Sequence, residues 1–410
     1  LYYCSIGEMH LMKNIIKELY ISTMFFTSFM LIIVFMLPLS VHATTINAQR
    51  AGLSTSSTSN NRQLQKIIDT QTDPKAVIYV PKGTYNFTGG GVILHSHLTF
   101  KFETGAIFQA TNGQAFLFVY PSPRAGYDGG IQDIKWENAT FKGNNNIHGQ
   151  SSITQSLNHA QNIIFNNCNF YNAEKPDGHY LDIDGSHNIT ISNSNFWGFN
   201  AAPNNDFREA IQIDYSDRAG MSYIQPRDVY DDLPTYNVTI INNRFLPILN
   251  KSSIKYYAPN PIGEHTFYPN SKNGLIHNIY FINNDVVDPK PRTGAHAGVI
   301  NFLGIQNLTV ANNRFTNIHS SGPSNYIHIL NPLNEYTMSG ITISNNVFTN
   351  INPILQYIFL ENSNHKSSMH NIQVNNNLVL DSDHPALLIS APNIIVRQQN
   401  NQIIFSNFCL

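Results

Sequence analysis

Pairs of aliphatic residues spaced two apart recur along most of this chain, and each pair is followed by polar residues rich in asparagine. The motif occurs about nine times between Ile134 and Ile394, for example as Asn-Ile-Thr-Ile-Ser-Asn-Ser-Asn-Phe at 188–196. A spacing of two is the period of a β-strand with one buried face, and helical periodicity is absent from these segments. The pattern therefore predicts one short strand in every repeat.

The asparagines after each strand are suited to a turn, because asparagine tolerates left-handed backbone and its amide can hydrogen-bond to the backbone. Stacked repeats would align these amides in a ladder and place the closing phenylalanines inside the stack. Further short strands, such as Leu181–Ile183 and Ile327–Ile329, lie upstream of the motifs. We therefore predict an all-β chain, a single-domain right-handed parallel β-helix of about ten coils.

Successive motifs start about 30 residues apart, but the intervals that follow Ile189 and Val238 are longer. These two intervals predict insertions in the middle of the stack. Insertions in a solenoid tend to gather on one face, which is often the binding face.

The segment ahead of the repeats contains an amphipathic helix at 62–69, a strand at Ala76–Val80 and the turn Pro81-Lys-Gly-Thr-Tyr85. The segment Phe102-Glu-Thr-Gly-Ala106 follows shortly afterwards. This order resembles the entry to the pectate lyase superfamily, and the resemblance extends over residues 60–405. It implies a parallel β-helix whose open hydrophobic end is covered by the N-terminal helix.

The first segment is typical of an export signal, because Lys13 and Lys17 precede the apolar run 24–37 and small residues follow at 41–43. A retained membrane anchor is the alternative, since the run approaches the length that spans a bilayer. In both cases the rest of the chain is expected to be secreted, extracellular or at the cell surface. The predicted divisions are a signal peptide at 1–43, a linker at 44–59, a cap with the first coils at 60–110 and the β-helix at 111–405.

The charge balance argues against a nucleic-acid or membrane-binding surface. Lys and Arg number 24 against 26 Asp and Glu, and only 12% of residues are charged, so no basic field is available to hold a polyanion. The three cysteines form no disulfide framework. A polysaccharide or oligosaccharide is the partner that fits best, and the oligomeric state stays open.

Acidic residues gather in two consecutive coils, 177–186 and 207–216. If the aliphatic residues of the two strands point inward, Asp182, Asp184, Gln212 and Asp214 must point outward on the same sheet. Neighbouring coils lie ~4.8 Å apart, so we expect Asp184 and Asp214 to be close together. Like charges at this distance raise one pKa, as a general acid requires.

These two coils resemble the strand pair that carries catalysis in glycoside hydrolase family 28, the polygalacturonases. Asp182 matches the strand aspartate of that family, and Arg208-Glu209 stand where the family has an Asp-Asp pair. His179 occupies the place of the aspartate in the first motif. The later Gly-His-Gly and Arg-x-Lys motifs of the family are not met. Glu264 and His265, in the third coil, are candidates to replace a missing carboxylate or histidine.

The resemblance implies glycoside hydrolysis with Glu209 as general acid, and with Asp182, Asp184 or Asp214 activating water or stabilising an oxocarbenium charge. His265 is a further catalytic candidate. A separation of ~6.5–9.5 Å between acid and base predicts inversion, and ~5 Å predicts retention. The predicted substrate-binding residues are Arg208, His179, Gln212, Glu264, Tyr215 and Tyr257.

Two other classes of function stay open. A polysaccharide lyase or uronate epimerase could hold Ca²⁺ with Asp182, Asp184 and Asp214, since calcium prefers oxygen ligands, whereas the hydrolase needs no cofactor. The base would then be Arg208, Arg218 or His179. A non-catalytic carbohydrate-binding surface protein is the second alternative, because solenoids present long surfaces and a fold does not fix a function.

Overall fold

The computed structural model describes residues 44–405 except 112–114, 144–151, 174–178, 200–208, 265–272, 293, 320–322, 324, 333–336, 350–354, 364–367 and 383–386. The chain divides into two units, Leu1–Ala43 and Thr44–Leu410. Of the first unit only Lys13, Lys17 and Glu18 are described, and all three are helical. The predicted signal run at 24–37 lies outside the described residues. Within the described part, no helix is both long and apolar enough to cross a membrane.

Among the described residues, the second unit forms a stack of coils whose strands belong to three parallel sheets of twelve, eleven and ten strands, and each complete coil passes through the sheets in the same order. The first sheet contains the strands of the recurring motif, and its twelve strands are β1 Thr45–Asn47, β2 Val77–Val80, β5 Leu98–Phe102, β8 Gln132–Glu137, β11 Gln161–Asn166, β14 His187–Ser192, β17 Tyr236–Ile241, β22 Ile276–Ile282, β25 Ile305–Ala311, β29 Thr342–Ser344, β33 Ile372–Asn375 and β36 Val396–Gln399.

The second sheet follows the asparagine turn and carries the closing aromatic or aliphatic residue of each motif. Its eleven strands are β3 Gly83–Phe87, β6 Ala106–Ala110, β9 Thr140–Lys142, β12 Asn169–Ala173, β15 Asn195–Phe199, β18 Arg244–Leu246, β23 Asp285–Val287, β26 Arg314–Thr316, β30 Val347–Thr349, β34 Leu378–Ser382 and β37 Gln402–Phe405.

The third sheet carries the strands predicted upstream of each motif, including those with the acidic residues. Its ten strands are β4 Gly90–Ile93, β7 Phe116–Tyr120, β10 Ile153–Asn158, β13 Leu181–Asp184, β16 Glu209–Asp214, β21 Asn260–Gly263, β24 Gly298–Leu303, β27 Asn325–Asn331, β31 Gln356–Asn362 and β35 Leu387–Ser390. Two further pairs lie outside the sheets: the antiparallel hairpin β19 Ile248–Asn250 with β20 Ser253–Tyr256, and the parallel pair β28 Thr337–Ser339 with β32 Ser368–His370.

The interior of the stack is built from equivalent residues of successive coils. Phe141, Phe170, Phe196 and Phe245 follow one another with ring centroids 5.3, 4.7 and 4.9 Å apart, and all four are buried. The predicted inward stacking of the closing phenylalanines is confirmed. Ring stacking adds to the apolar area removed from water at each coil.

The asparagine turns form the ladder that the sequence predicts. The first residue of the turn, such as Asn312, has a positive φ, here 58°. The second residue hydrogen-bonds to its counterpart in the next coil and is buried in every copy except the last, in the order Asn243, Asn284, Asn313, Asn346, Asn377 and Asn401. A second row of asparagines ahead of the strands, which includes Asn278 and Asn307, hydrogen-bonds at the surface.

The N-terminal helix is confirmed as α1 Asn61–Asp69, and its buried face consists of Leu64, Ile67 and Ile68. These three side chains belong to the same hydrophobic core as the coils. We expected residues 44–59 to be a linker, but part of this segment forms a strand of the first sheet. Thr45–Asn47 pair in register with Val77–Tyr79, because this segment supplies hydrogen-bonding groups to the otherwise open edge of β2.

The long intervals in the repeat correspond to segments at both ends of the third-sheet strands. Residues 215–235 connect β16 to the first sheet, and residues 247–259, with the β19–β20 hairpin, connect the second sheet to β21. The first of these segments, which we call the cover segment, folds over the third sheet through contacts described below.

Candidate functional site

The polar residues predicted for the site lie in two rows on the outer face of the third sheet. In one row, Asp182 is the register partner of both Ser156 and Gln212. In the other row, Asp184 is the register partner of Asp214. Paired strands lie ~4.8 Å apart, so the structure brings Asp184 and Asp214 together as expected.

These residues occupy the outward positions that the sequence predicts, but they are not exposed to solvent. Asp182, Asp184 and Asp214 are 0% exposed and Gln212 is 2% exposed, although their positions on the strands face away from the core. The cover segment, residues 215–235, accounts for the difference because it folds back over the outer face. Its sequence has no periodicity from which this docking could be predicted.

Direct hydrogen bonds hold the cover segment on the rows. The backbone N–H of Ser222 donates to Oδ2 of Asp182 at 2.8 Å, and Nε2 of Gln212 donates to the carbonyl oxygen of Gly220 at 2.8 Å. Gly220 passes so close to Asp214 that a Cβ at this position would lie 3.2 Å from the carboxyl carbon. A glycine therefore allows the close approach of backbone and carboxylate.

Burial controls the protonation of the pair formed by Asp182 and Asp184. Desolvation raises the pKa of Asp182 to about 6, opposed by the hydrogen bond from the Ser222 backbone. Desolvation, followed by the negative charges of Asp182 and Asp214, raises the pKa of Asp184 well above its ordinary value. The negative charge of Asp182 is one of the causes that raise the pKa of Asp184, so ionisation of one carboxyl group disfavours ionisation of the other.

We expect this pair to make stability depend on pH. The pKa of Asp182 is about 6 in the folded chain against an ordinary value of 3.8. Its contribution to stability is therefore fully present below the lower value and is lost as the pH rises through the higher one. Between pH 4 and 7 the free energy of unfolding of the wild type should fall about 2 kcal/mol further than that of Asp182→Asn.

Denaturant unfolding at several pH values measures this difference. Asp69→Asn is the matched control, because Asp69 is an exposed carboxylate at the end of α1, and it should keep the pH dependence of the wild type. Equal pH dependence in Asp182→Asn and the wild type would contradict the raised pKa.

Glu209, the proton donor predicted from the sequence, lies at the start of β16 beside Arg292. Oε1 of Glu209 is 3.7 Å from Nη1 of Arg292, and their side chains are 0% and 9% exposed. The Glu209 side chain fills the space above Gly263, where a Cβ would lie 2.8 Å from Oε1. His179 is also buried, and its Nδ1 donates to the carbonyl oxygen of Glu209 at 2.6 Å. His179 thus holds the backbone that carries Glu209.

Glu264 immediately follows β21 and is 2% exposed. Its Oε2 accepts a hydrogen bond from the backbone N–H of Leu303 at 2.9 Å, and its Oε1 has no hydrogen-bond partner among the described residues. Desolvation, followed by the charge of Asp214, raises the pKa of Glu264 well above its ordinary value. Glu264 is therefore a buried carboxyl group whose surroundings favour its protonated form.

Other predicted residues are placed less favourably for a sugar. Tyr215 is 1% exposed and bridges to Pro234 of the cover segment, so it packs in the interior and offers no ring face to a ligand. Tyr257 is half-buried near the hairpin, with Nζ of Lys290 5.2 Å from its ring centre. Arg208 and His265 lie outside the described residues.

A set of polar residues that the sequence did not suggest continues along the same face. Nδ1 of His328 contacts Oδ1 of Asn301 at 2.8 Å, and Oε2 of Glu361 lies 3.2 Å from Nε2 of His328 and 2.8 Å from Nδ1 of His296. Desolvation lowers the pKa of His328, and its hydrogen bond to Glu361 lowers the pKa of that carboxyl. The only available signal was the outward position of His328 between two inward isoleucines.

A second feature missed from the sequence fastens the cover segment. Oγ of Ser122 lies 2.6 Å from Nδ1 of His159, and Nε2 of His159 lies 2.7 Å from Oδ1 of Asp231. Asp228 also accepts a hydrogen bond from the backbone N–H of Ser122 at 2.9 Å. Ser122 and His159 are 0% exposed. The arrangement therefore ties the cover segment to two earlier coils.

The calcium site named as an alternative for a lyase or epimerase stays a prediction. Among the residues that the structure describes, no group of three or more His, Cys, Asp and Glu is arranged to hold a metal ion. Asp182, Asp184 and Asp214 are among these described residues.

Comparisons with known proteins identify the architecture. The sequence matches no protein-family model and no curated protein. Among solved structures, the surface protein and adhesin PfbA of Streptococcus pneumoniae is similar, with a TM-score of 0.65 and 19% identity, over 88% of this chain and 97% of PfbA. The tailspike protein of E. coli bacteriophage HK620 has a TM-score of 0.55 and 10% identity, over 87% of this chain and 60% of the tailspike.

A family 28 exopolygalacturonase of Yersinia enterocolitica is also similar, with a TM-score of 0.46 and 11% identity, over 90% of this chain and 79% of the enzyme. Identities this low establish a shared fold and not a shared activity. Together with the three parallel sheets, the similarity to PfbA and to the tailspike shows that this chain has a right-handed parallel β-helix fold.

Proposed function

We propose that this chain is a glycoside hydrolase that cleaves a polysaccharide with carboxyl groups on the outer face of its third sheet. The observation that carries this proposal is a set of buried carboxyl groups whose pKa values are raised by different amounts. Asp184 and Glu264 have a pKa well above the ordinary value, whereas the pKa of Asp182 is about 6. The surroundings therefore favour the protonated form more strongly at Asp184 and Glu264 than at Asp182, and such a difference is what acid and base catalysis requires.

Glu264 is the proposed proton donor to the leaving oxygen, and Asp182, with Asp184 beside it, is the proposed base that activates water. This assignment differs from the sequence-based one, in which Glu209 is the acid. It is supported by the cationic partner of Glu209, because Arg292 lies 3.7 Å from its carboxylate. In this proposal Glu209, Arg292 and His179 form one end of the substrate site, with Gln212 in its floor.

The strand order supports an inverting reaction. One strand, β16, separates β13 from β21, so their backbones lie about 10 Å apart. This spacing is close to the ~6.5–9.5 Å found between acid and base in inverting glycosidases and well above the ~5 Å of retaining ones. The anomer released first, followed by NMR, tests this part of the proposal.

The proposed site is closed to solvent by the cover segment, so a substrate enters only when that segment moves. Closing segments that exclude water are common in enzymes, and their motions accompany turnover. The hydrogen bonds from Ser222 and to Gly220 are the contacts that opening would break.

The experiment that tests the proposal is incubation of residues 44–410 with neutral and uronate polysaccharides, followed by product analysis. New reducing ends without ultraviolet absorbance support hydrolysis. An unsaturated, absorbing product would overturn it in favour of a lyase, and altered uronate stereochemistry without cleavage would favour an epimerase. The secreted or cell-surface location expected from the N-terminal segment belongs to the same proposal.

A non-catalytic glycan-binding surface protein is the second candidate, and one observation favours it. The carboxyl groups are fully covered, and the architecture extends over 97% of a protein described as a surface adhesin. Binding of a polysaccharide with no product of any kind would support this candidate and exclude the hydrolase.

A further inference from the structure

A groove runs along the outer face of the second sheet, on a different side of the stack from the buried carboxyl groups. It has a volume of about 730 Å³, which is within the range of ligand sites. Its lining includes Ile107, Lys142, Tyr171, Asn172, Trp197 and Ile248. The hairpin β19–β20 closes one end of the groove with Ile248 and Leu249, and Leu249 is 42% exposed.

The floor of the groove is set by the register of the coils. Lys142, Tyr171 and Trp197 are register partners on three consecutive strands, β9, β12 and β15. The rings of Tyr171 and Trp197 are 5° from parallel, with centroids 5.8 Å apart. Both rings are half-buried, so a ligand in the groove meets two aromatic side chains next to a cation.

Two polar atoms in this lining lack the partners that buried groups usually have. Asn172 is 1% exposed, and its Oδ1 has no hydrogen-bond partner among the described residues. The indole Nε1 of Trp197, on the neighbouring strand, is also buried and without a partner in the same set. Leaving a buried donor or acceptor unsatisfied costs about 1–3 kcal/mol each. One atom is an acceptor and the other a donor, so a hydroxyl group can satisfy both.

We infer that this groove binds a segment of a glycan chain, whose rings pack on Tyr171 and Trp197 while their hydroxyl groups bind Asn172 Oδ1 and Trp197 Nε1. Carbohydrate combines an apolar ring face with hydroxyl groups at its rim, which matches a lining of aromatic rings with one donor and one acceptor. A chain of repeated rings can also contact successive coils. Binding here does not depend on the proposed hydrolysis, because no carboxyl group of the third sheet is involved.

A peptide strand fits the groove less well. Each of β9, β12 and β15 is paired on both sides within the second sheet, so the groove offers no free strand edge for β-augmentation. The ligand must also displace part of the hairpin. The Ile248 side chain lies over Gly198, where a Cβ would be 2.6 Å from Cδ1, and it has to turn aside to uncover Asn172 and Trp197.

Calorimetry with hexasaccharides of galacturonate, glucose and N-acetylglucosamine tests the inference on the full chain. At least one of them should bind, and Trp197→Phe, which keeps an aromatic ring but removes the N–H donor and part of the ring area, should weaken binding about tenfold. Tyr171→Ala should weaken it at least as much. Tyr280→Ala is the matched control, because Tyr280 is a partly exposed tyrosine on the first sheet, and it should leave the affinity unchanged.

Fluorescence gives an independent reading, since the chain contains only two tryptophans and Trp136 is fully buried in the core. Saccharide binding should change the emission of the wild type and not that of Trp197→Phe. The absence of binding by all three hexasaccharides would overturn the inference. Wild-type affinity in both groove variants, with the melting temperature retained, would overturn it as well.

Discussion

Asn313→Ala is expected to lower the free energy of unfolding by about 3–5 kcal/mol. Nδ2 of Asn313 donates to the carbonyl oxygen of Phe281 and to Oδ1 of Asn346, and its Oδ1 accepts from the backbone and side chain of Asn284. Alanine removes all four hydrogen bonds and leaves the buried backbone N–H of Asn284 without this acceptor, whereas Nδ2 of Asn284 keeps its hydrogen bond to the carbonyl oxygen of Ile240. Each bond is worth about 1 kcal/mol, and each unsatisfied group adds to the loss.

The surface row of asparagines provides the control. Asn307 donates to Oδ1 of Asn278 at 3.0 Å and is exposed, so water can replace its bond. Asn307 has a φ of 49°, and Asn307→Gly keeps that backbone conformation accessible. Asn307→Gly should therefore cost less than about 1 kcal/mol. Denaturant unfolding of both variants measures the difference. Similar losses of unfolding free energy would show that the buried ladder contributes no more to stability than the exposed row.

Glu264→Gln should lower kcat on the cleaved polysaccharide by about 10³-fold, as expected for the loss of a general acid. The pKa of Glu264 is raised by burial and by Asp214, so the wild type should lose activity as the pH rises above that pKa. Activity should increase with pH through about 6, where Asp182 ionises. The variant should lack the decline on the alkaline side.

Two further variants separate a catalytic role from a structural one. Glu209→Gln tests the sequence-based assignment. If this variant, and not Glu264→Gln, lacks the decline of activity at alkaline pH, Glu209 is the general acid. Glu137→Gln is the matched control, since Glu137 lies on the outer face of the first sheet in an ion pair with Lys135. It should leave kcat and the pH profile unchanged.

The fold could be predicted because the same local preferences are repeated in every coil. An inward pair such as Ile189 and Ile191, the left-handed Asn193 and the inward Phe196 require no long-range information. The register of Asp184 with Asp214 followed from the same repeat. The strand at Thr45–Asn47 was not predicted, because it forms by pairing with the open edge of β2, which lies further along the chain.

The environment of the candidate site could not be predicted in this way. Asp182 and Asp184 occupy outward positions, yet their burial depends on the cover segment, whose docking uses Ser122 and His159 from earlier coils. The second-sheet groove was missed because Tyr171 and Trp197 belong to different motifs. Only their register makes them neighbours.

The fastening of the cover segment has a consequence for how the molecule unfolds. In a simple stack each coil contacts only its neighbours, and unfolding can progress coil by coil from the ends. The hydrogen bond between Ser122 and Asp228 joins residues 106 apart in sequence, and it is broken by the loss of either end. The coils from β7 to β16 should therefore open as one cooperative block, so fraying at the termini stops before it reaches Asp182, Asp184 and Asp214.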